Sequence, residues 1–135
     1  MDKDAYLEIN ASQRPALALF EVMGYTYISP ADCDKQRGSR YHVLLRDILR
    51  GQLRRLNRYV YAGAENEFSA ANIERAMEDL DEPLTDGLVR TSEKIYDALL
   101  LGKSYPETVG DGKMLSFNLR YIDWDNPQNN VFHVT

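Results

Sequence analysis

Residues 115–121 read LSFNLRY, and this alternation of large apolar and polar side chains decides the fold class. A period of two places every second side chain on the same face of a strand. The apolar face of this strand holds Leu115, Phe117, Leu119 and Tyr121. Upstream of it, apolar residues recur at helical spacing instead, so helices precede the strands. The sequence therefore predicts an α+β fold rather than a regular βαβ alternation.

About four helices are predicted from apolar spacing and from residues that begin or end helices. They span about 13–23, 40–56, 69–82 and 92–101, and the residues expected to cap or begin them are Ser12, Ser39, Ser69 and Thr91. The second helix carries a long leucine stripe and is expected to be the longest. Between the helices, 25–29 is predicted to be a short strand, 30–39 a polar loop and 57–68 a connection.

The C-terminal residues are predicted to complete a β-hairpin. Residues 123–130 contain Asp-Asn-Pro and Asn-Asn, which favour a turn, and 131–134 begin a returning strand. A hairpin at about 113–135 would leave its second strand as an exposed edge, which natural domains usually cover. We therefore expect a truncated chain, with a natural end at a strand as the alternative. The chain is predicted to be a single domain over 1–135, with its helical portion at about 12–102.

Composition excludes several classes of protein. The 135 residues include one cysteine, Cys33, and two histidines, His42 and His133, which are too few for an intrachain disulfide or a Cys/His zinc site. We therefore expect a reducing, cytoplasmic location. The acidic N-terminus is unlike a secretory signal, and no apolar run reaches membrane-spanning length, so no membrane partner is predicted.

The net charge of -5 hides two segments of opposite charge. Residues 35–58 hold eight basic residues and one acidic residue, whereas 65–97 hold ten carboxylates and three basic residues. Four arginines at helical spacing form a predicted ridge, namely Arg46, Arg50, Arg54 and Arg58. Such a ridge can follow a DNA backbone, because guanidinium groups bind phosphate. The alternatives are that these arginines pair with the acidic segment or form a solvated face.

Motifs for catalysis are weak or missing. Gly102-Lys103-Ser104 lacks the upstream glycine of a phosphate-binding loop, and Asp111-Gly112-Lys113 fits a turn better than a nuclease site. No Glu-x-Lys occurs. Cys33 has no histidine near it in sequence, and His133 is better explained as a surface histidine or one with satisfied hydrogen bonds than as a base. The residues alone therefore predict no catalytic group, metal site or cofactor.

Several segments taken in order resemble the N-terminal region of the R subunit of type I restriction enzymes. The segments are PALAL (15–19), GYTY (24–27), VLLRDIL (43–49), QL (52–53), LN (56–57), GLVRT (87–91), EKIYD (93–97), LGKS (101–104), YIDW (121–124) and NNVFHVT (129–135). Each is short, but their joint order spans nearly the whole chain from Ser12.

This resemblance implies a larger parent protein. The parent would be an R subunit, which joins modification and specificity subunits and translocates DNA with ATP. It would cleave unmodified DNA with an Mg²⁺-dependent nuclease of the Asp…Glu-x-Lys group. The chain would then be the N-terminal part of the nuclease domain, beginning a truncated restriction-endonuclease-like sheet and inactive alone. Glu93 is a candidate auxiliary carboxylate, although a glutamate in the first turn of a helix is also explained by the helix dipole.

Two other functions stay open. One is a stand-alone, non-catalytic regulator or decoy that binds restriction subunits or DNA. The other is an independent helical DNA-binding module, which requires the 135 residues to bind duplex DNA by themselves.

Overall fold

A computed structural model describes residues 9–39 and 41–135 of the chain. In these ranges it contains five α-helices and six short strands. The elements in chain order are α1 (Arg14–Val22), β1 (Thr26–Tyr27), α2 (Pro30–Arg37), α3 (Arg46–Leu56), β2 (Arg58–Tyr61), β3 (Ala64–Glu67), α4 (Ala70–Leu80), α5 (Leu88–Leu101), β4 (Lys103–Thr108), β5 (Met114–Leu119) and β6 (His133–Val134). This mixture of helices and small sheets is consistent with the predicted α+β class.

The core lies where α3, α4 and α5 pack on the hairpin of β4 and β5. Helix α4 buries Ile73, Ala76 and Met77, whose spacing of three and four residues places them on one face. Leu53 of α3 and Leu119 of β5 are fully buried in the same cluster. Tyr59 stacks on Phe117 at a centroid distance of 4.4 Å and extends the cluster to β2.

The predicted helices at 13–23 and 69–82 are confirmed as α1 and α4. Ser69 caps α4, since its side chain accepts a hydrogen bond from the backbone N–H of Asn72 at 3.3 Å. At α1 the predicted Ser12 cap is wrong, because a π-helical turn at Ile9–Gln13 precedes the helix and Gln13 is its N-cap. The strand predicted at 115–121 is confirmed as β5, and its face becomes more buried from Leu115 to Leu119.

Three predictions about helix extent are wrong. Residues 30–39 form helix α2 rather than a loop, with Ser29 as N-cap and Gly38 in the left-handed conformation at its end. Helix α3 begins at Arg46 and not after Ser39, and it is shorter than α5. Helix α5 begins after Gly87, so Thr91 lies buried inside it instead of capping it.

The strand pairing also differs from the prediction. Residues 57–68 contain an antiparallel hairpin of β2 and β3 joined by Ala62 and Gly63, both at positive φ. The predicted hairpin at 113–135 is wrong, because β5 pairs with β4 and β6 pairs in parallel with β1. The described strands therefore form three two-stranded sheets, and a restriction-endonuclease-like sheet is not seen among them.

Candidate functional site

Two of the four ridge arginines, Arg46 and Arg50, lie at the contact between α3 and the acidic helix α4. Arg46 pairs with Asp81 at 3.0 Å. Arg50 pairs with Glu74 at 2.5 Å and with Asp47 of its own helix at 2.9 Å. These ion pairs join the basic segment to the acidic segment, as the first alternative to DNA binding predicted.

The Arg50–Glu74 pair changes the pKa of both partners. The hydrogen bond from Arg50, followed by its charge, lowers the pKa of the Glu74 carboxyl, although partial burial opposes this. The hydrogen bond to Glu74 likewise raises the pKa of Arg50. Both groups are therefore held in their charged forms.

Arg54 and Arg58 are more accessible than the other two. Arg58 begins β2, so the prediction that all four arginines share one helix is wrong. It pairs with Glu67 at 3.2 Å and donates to the backbone carbonyl of Arg54. The exposed guanidinium of Arg54 makes no ion pair within the parts of the chain that the structure describes. Arg40, another member of the basic segment, lies outside the described residues.

Gly102-Lys103-Ser104 has a structural role at the junction of α5 and β4. Gly102 ends α5 at a φ of 76°, and a Cβ at this position would lie 2.3 Å from the Leu119 carbonyl oxygen. Lys103 Nζ lies 3.3 Å from Asp79 Oδ2. This carboxylate also accepts a hydrogen bond from Tyr105 Oη. The tripeptide therefore forms the link by which α5 continues directly into β4.

A buried tyrosine pair lies beside this junction. Tyr105 Oη and Tyr121 Oη are 3.2 Å apart, and Tyr121 donates to the Ala76 carbonyl at 2.7 Å. Burial, together with the hydrogen bond to Asp79, raises the pKa of Tyr105 far above its ordinary value. Tyr105 is therefore neutral at physiological pH, and the pair forms a polar network inside the core.

The described side chains do not form a site for Mg²⁺. In the described ranges no three Asp, Glu, His or Cys side chains come close enough together to hold a metal ion.

Asp111-Gly112-Lys113 forms the turn between β4 and β5, where Gly112 has a φ of 76° and Val109 N donates to the Lys113 carbonyl. This confirms the turn interpretation of that motif.

The other candidate residues are not brought together. Cys33 is buried in α2, His42 is exposed in the connection before α3, and His133 is half-buried in β6. Glu93 is exposed on α5. Because α5 begins at Leu88, Glu93 lies beyond the first turn, and the dipole explanation offered for it is wrong.

An apolar groove lies between α3 and residues 121–133, and sequence reasoning missed it. Its volume is about 560 Å³, and its lining includes Val43, Ile48, Leu56, Ile122, Trp124 and Phe132. Trp124 is 55% exposed although its Nε1 donates to the Leu99 carbonyl at 3.0 Å. The sequence patterns placed Trp124 in a turn and Phe132 in a returning strand, and so they did not bring these apolar residues together.

The chain was compared with known families, curated proteins and solved structures. Residues 5–135 match the family described as the type I restriction enzyme R protein N terminus. No curated protein and no solved structure gives a significant match. The family match confirms the resemblance drawn from segments 15–19 to 129–135. Separately, none of the described helices is long and apolar enough to span a membrane. Because the match covers all but the first four residues, the chain belongs to the family of type I restriction enzyme R protein N termini.

Proposed function

We propose that this chain forms the N-terminal flank of the nuclease region in a type I restriction R subunit. The observation that carries the proposal is the family match over residues 5–135. The parent subunit would translocate DNA with ATP and cleave unmodified DNA with Mg²⁺, in complex with modification and specificity subunits in the cytoplasm. Within it, the chain would supply folded support rather than reacting groups.

The carboxylate and lysine side chains of the segment support a structural role over a catalytic one. A nuclease of the Asp…Glu-x-Lys group needs clustered carboxylates for its metal and a lysine beside them. The sequence has no Glu-x-Lys, and the described carboxylates are mostly used in ion pairs such as those of Glu74 and Asp81. We therefore assign cleavage to residues of the parent that follow this segment.

Contact with the DNA backbone is a second part of the proposal. Arg54 and Arg58 are the exposed members of the ridge, whereas Arg46 and Arg50 are half-buried against α4. An exposed guanidinium is free to exchange its partner for a phosphate at little cost. We expect Arg54 to contribute most and Arg50 least.

Reading the source gene for about 50 codons past Thr135 tests the proposal. An open frame that encodes an Asp and then Glu-x-Lys on apolar strand patterns would support a nuclease domain that continues from this segment. A stop codon directly after Thr135 would contradict it.

The apolar groove favours a regulator or decoy as the second candidate function. An exposed groove of this kind is typical of a surface that another protein covers. This function predicts that the 135-residue chain copurifies with modification and specificity subunits and lowers cleavage by a separate, complete R subunit. Failure of the chain to bind either subunit would exclude it.

A further inference from the structure

The loop between β5 and β6 is held by two of its own side chains. Asp123 is 7% exposed, and its carboxylate accepts from the Asn126 backbone N–H and the Asn129 side chain, both at 3.0 Å. Asn130 closes the loop from the other end. Its Oδ1 accepts from the Asp123 backbone N–H, and its Nδ2 donates to the Asp123 carbonyl, both at 2.9 Å. A short polar segment is thereby fixed in one conformation.

The loop is also attached to the helices on either side. Arg55 of α3 donates to the Asn129 carbonyl, and the Trp124 indole donates to the Leu99 carbonyl of α5. At the start of the loop, Asn57 accepts from the Arg120 backbone N–H at 2.8 Å and donates to the Arg120 carbonyl at the same distance. The loop is therefore hydrogen-bonded to the packed core at both α3 and α5.

Strand β6 follows this loop after Val131 and Phe132. It contains two residues and pairs with a strand of two residues, β1. Backbone hydrogen bonds join it to β1 and to the residue after β1, from Thr26 N to the Phe132 carbonyl and from Ile28 N to the Val134 carbonyl, both at 2.8 Å. So short a pair is too weak to hold its own register. The ring contact between Tyr25 and Phe132, at a centroid distance of 5.4 Å, adds to this pairing, and the chain that leads into β6 is a further constraint.

We infer that Asp123 is a positioning residue that docks β6 on β1 by locking the loop at 123–130. The inference rests on the proposed function in one respect, because misplacing β6 is then expected to impair the nuclease that this segment supports. The hydrogen bond from Asn129, and then that from Asn126, lower the pKa of the Asp123 carboxyl. The carboxylate therefore stays ionised, as an acceptor of several N–H groups must.

Hydrogen exchange of the 135-residue chain tests the docking directly. In Asp123→Ala, we expect the Thr26 and Ile28 amides to exchange about tenfold faster, while the β4–β5 amides keep their protection. Asn130→Ala should give the same selective change, and it provides a second variant if the first does not fold. The control is Asp125→Asn, whose side chain is exposed and faces Arg120, and no change is expected. Equal loss of protection in both sheets, or no change at β1, would overturn the inference.

The complete R subunit, assembled with its modification and specificity subunits, provides the second measurement. With Asp123→Asn, we expect cleavage to fall by about 100-fold while ATP hydrolysis during translocation is retained. Parallel loss of both activities, or normal cleavage, would overturn the positioning role. If the wild-type complex itself does not cleave, the proposed function fails, and the exchange experiment still decides the docking.

Discussion

Arg50 of α3 and Glu74 of α4 form a two-point ion pair, with Nε to Oε1 at 2.5 Å and Nη2 to Oε2 at 3.4 Å. The pair lies between the basic and acidic segments of the chain, at the packing contact of the two helices. Part of the basic charge is therefore neutralised inside the molecule. For Arg50, binding DNA would require giving up a formed pair.

Removing this pair should destabilise the fold modestly. Both side chains are partly exposed, so a double-mutant cycle with Arg50→Met and Glu74→Gln should give a coupling of about 0.5 kcal/mol in urea unfolding. The pKa of Glu74 is lowered in the folded state, so this stability is present above its ordinary value of 4.5 and lost as pH falls through the folded value. A coupling that does not weaken in acid would contradict this account.

Charge reversal at Arg54 should separate DNA binding from stability. Arg54→Glu in a complete R subunit is expected to weaken DNA binding and to lower the salt slope by about one. Its free energy of unfolding should change by less than about 0.5 kcal/mol. Arg50→Glu is the matched control, because it should instead lower the free energy of unfolding by placing a second carboxylate beside Glu74. Unchanged DNA affinity of Arg54→Glu across a salt series would refute a phosphate-guiding role.

Gly102 should be intolerant of any side chain. The change to Ala adds a Cβ 2.3 Å from the Leu119 carbonyl oxygen and strains a backbone with a φ of 76°, so we expect a loss of about 3 kcal/mol. Gly51→Ala is the control, because that position lies inside α3 and faces open space. It should gain about 0.5 to 1 kcal/mol from helix propensity. Equal unfolding midpoints for the two variants would contradict this role of Gly102.

The fold should be sensitive to alkaline pH through Tyr105. The pKa of Tyr105 is raised in the folded state. The stability that its neutral hydroxyl contributes is therefore fully present below the ordinary pKa of 10.0 and is lost as pH rises above it. Circular dichroism and tyrosinate absorbance should therefore show unfolding and ionisation together. In Tyr105→Phe the alkaline transition should move to higher pH. Ionisation of every tyrosine near pH 10 in a chain that stays folded would rule this out.

Local signals in the sequence were sufficient for some elements. Helix α4 is specified by its own residues, namely the Ser69 cap and the apolar spacing of Ile73, Ala76 and Met77. Strand β5 is specified by the alternation at 115–121. Helix α2 was missed because it carries no apolar stripe and buries only Cys33 among its residues. Its Ser29 cap, Pro30 and terminal Gly38 were the signals available.

Long-range pairing was not predictable from the same signals. Strand β6 pairs with β1 across more than a hundred residues, and the two-residue strands have no pattern that specifies a partner. The ridge arginines were found from spacing, but the ion pairs of Arg46 and Arg50 depend on how α3 packs on α4. The groove depends in turn on where the loop at 123–130 places Trp124 and Phe132.

We propose that this segment supports a DNA-cleaving subunit without supplying its reacting groups. The most direct measurement is Mg²⁺-dependent cleavage of unmodified plasmid DNA by the purified 135-residue chain, beside a complete R subunit assembled with its modification and specificity subunits and ATP. We expect uncut DNA with the chain alone and cleavage by the assembly. Cleavage by the chain alone, or none by the assembly, would contradict it.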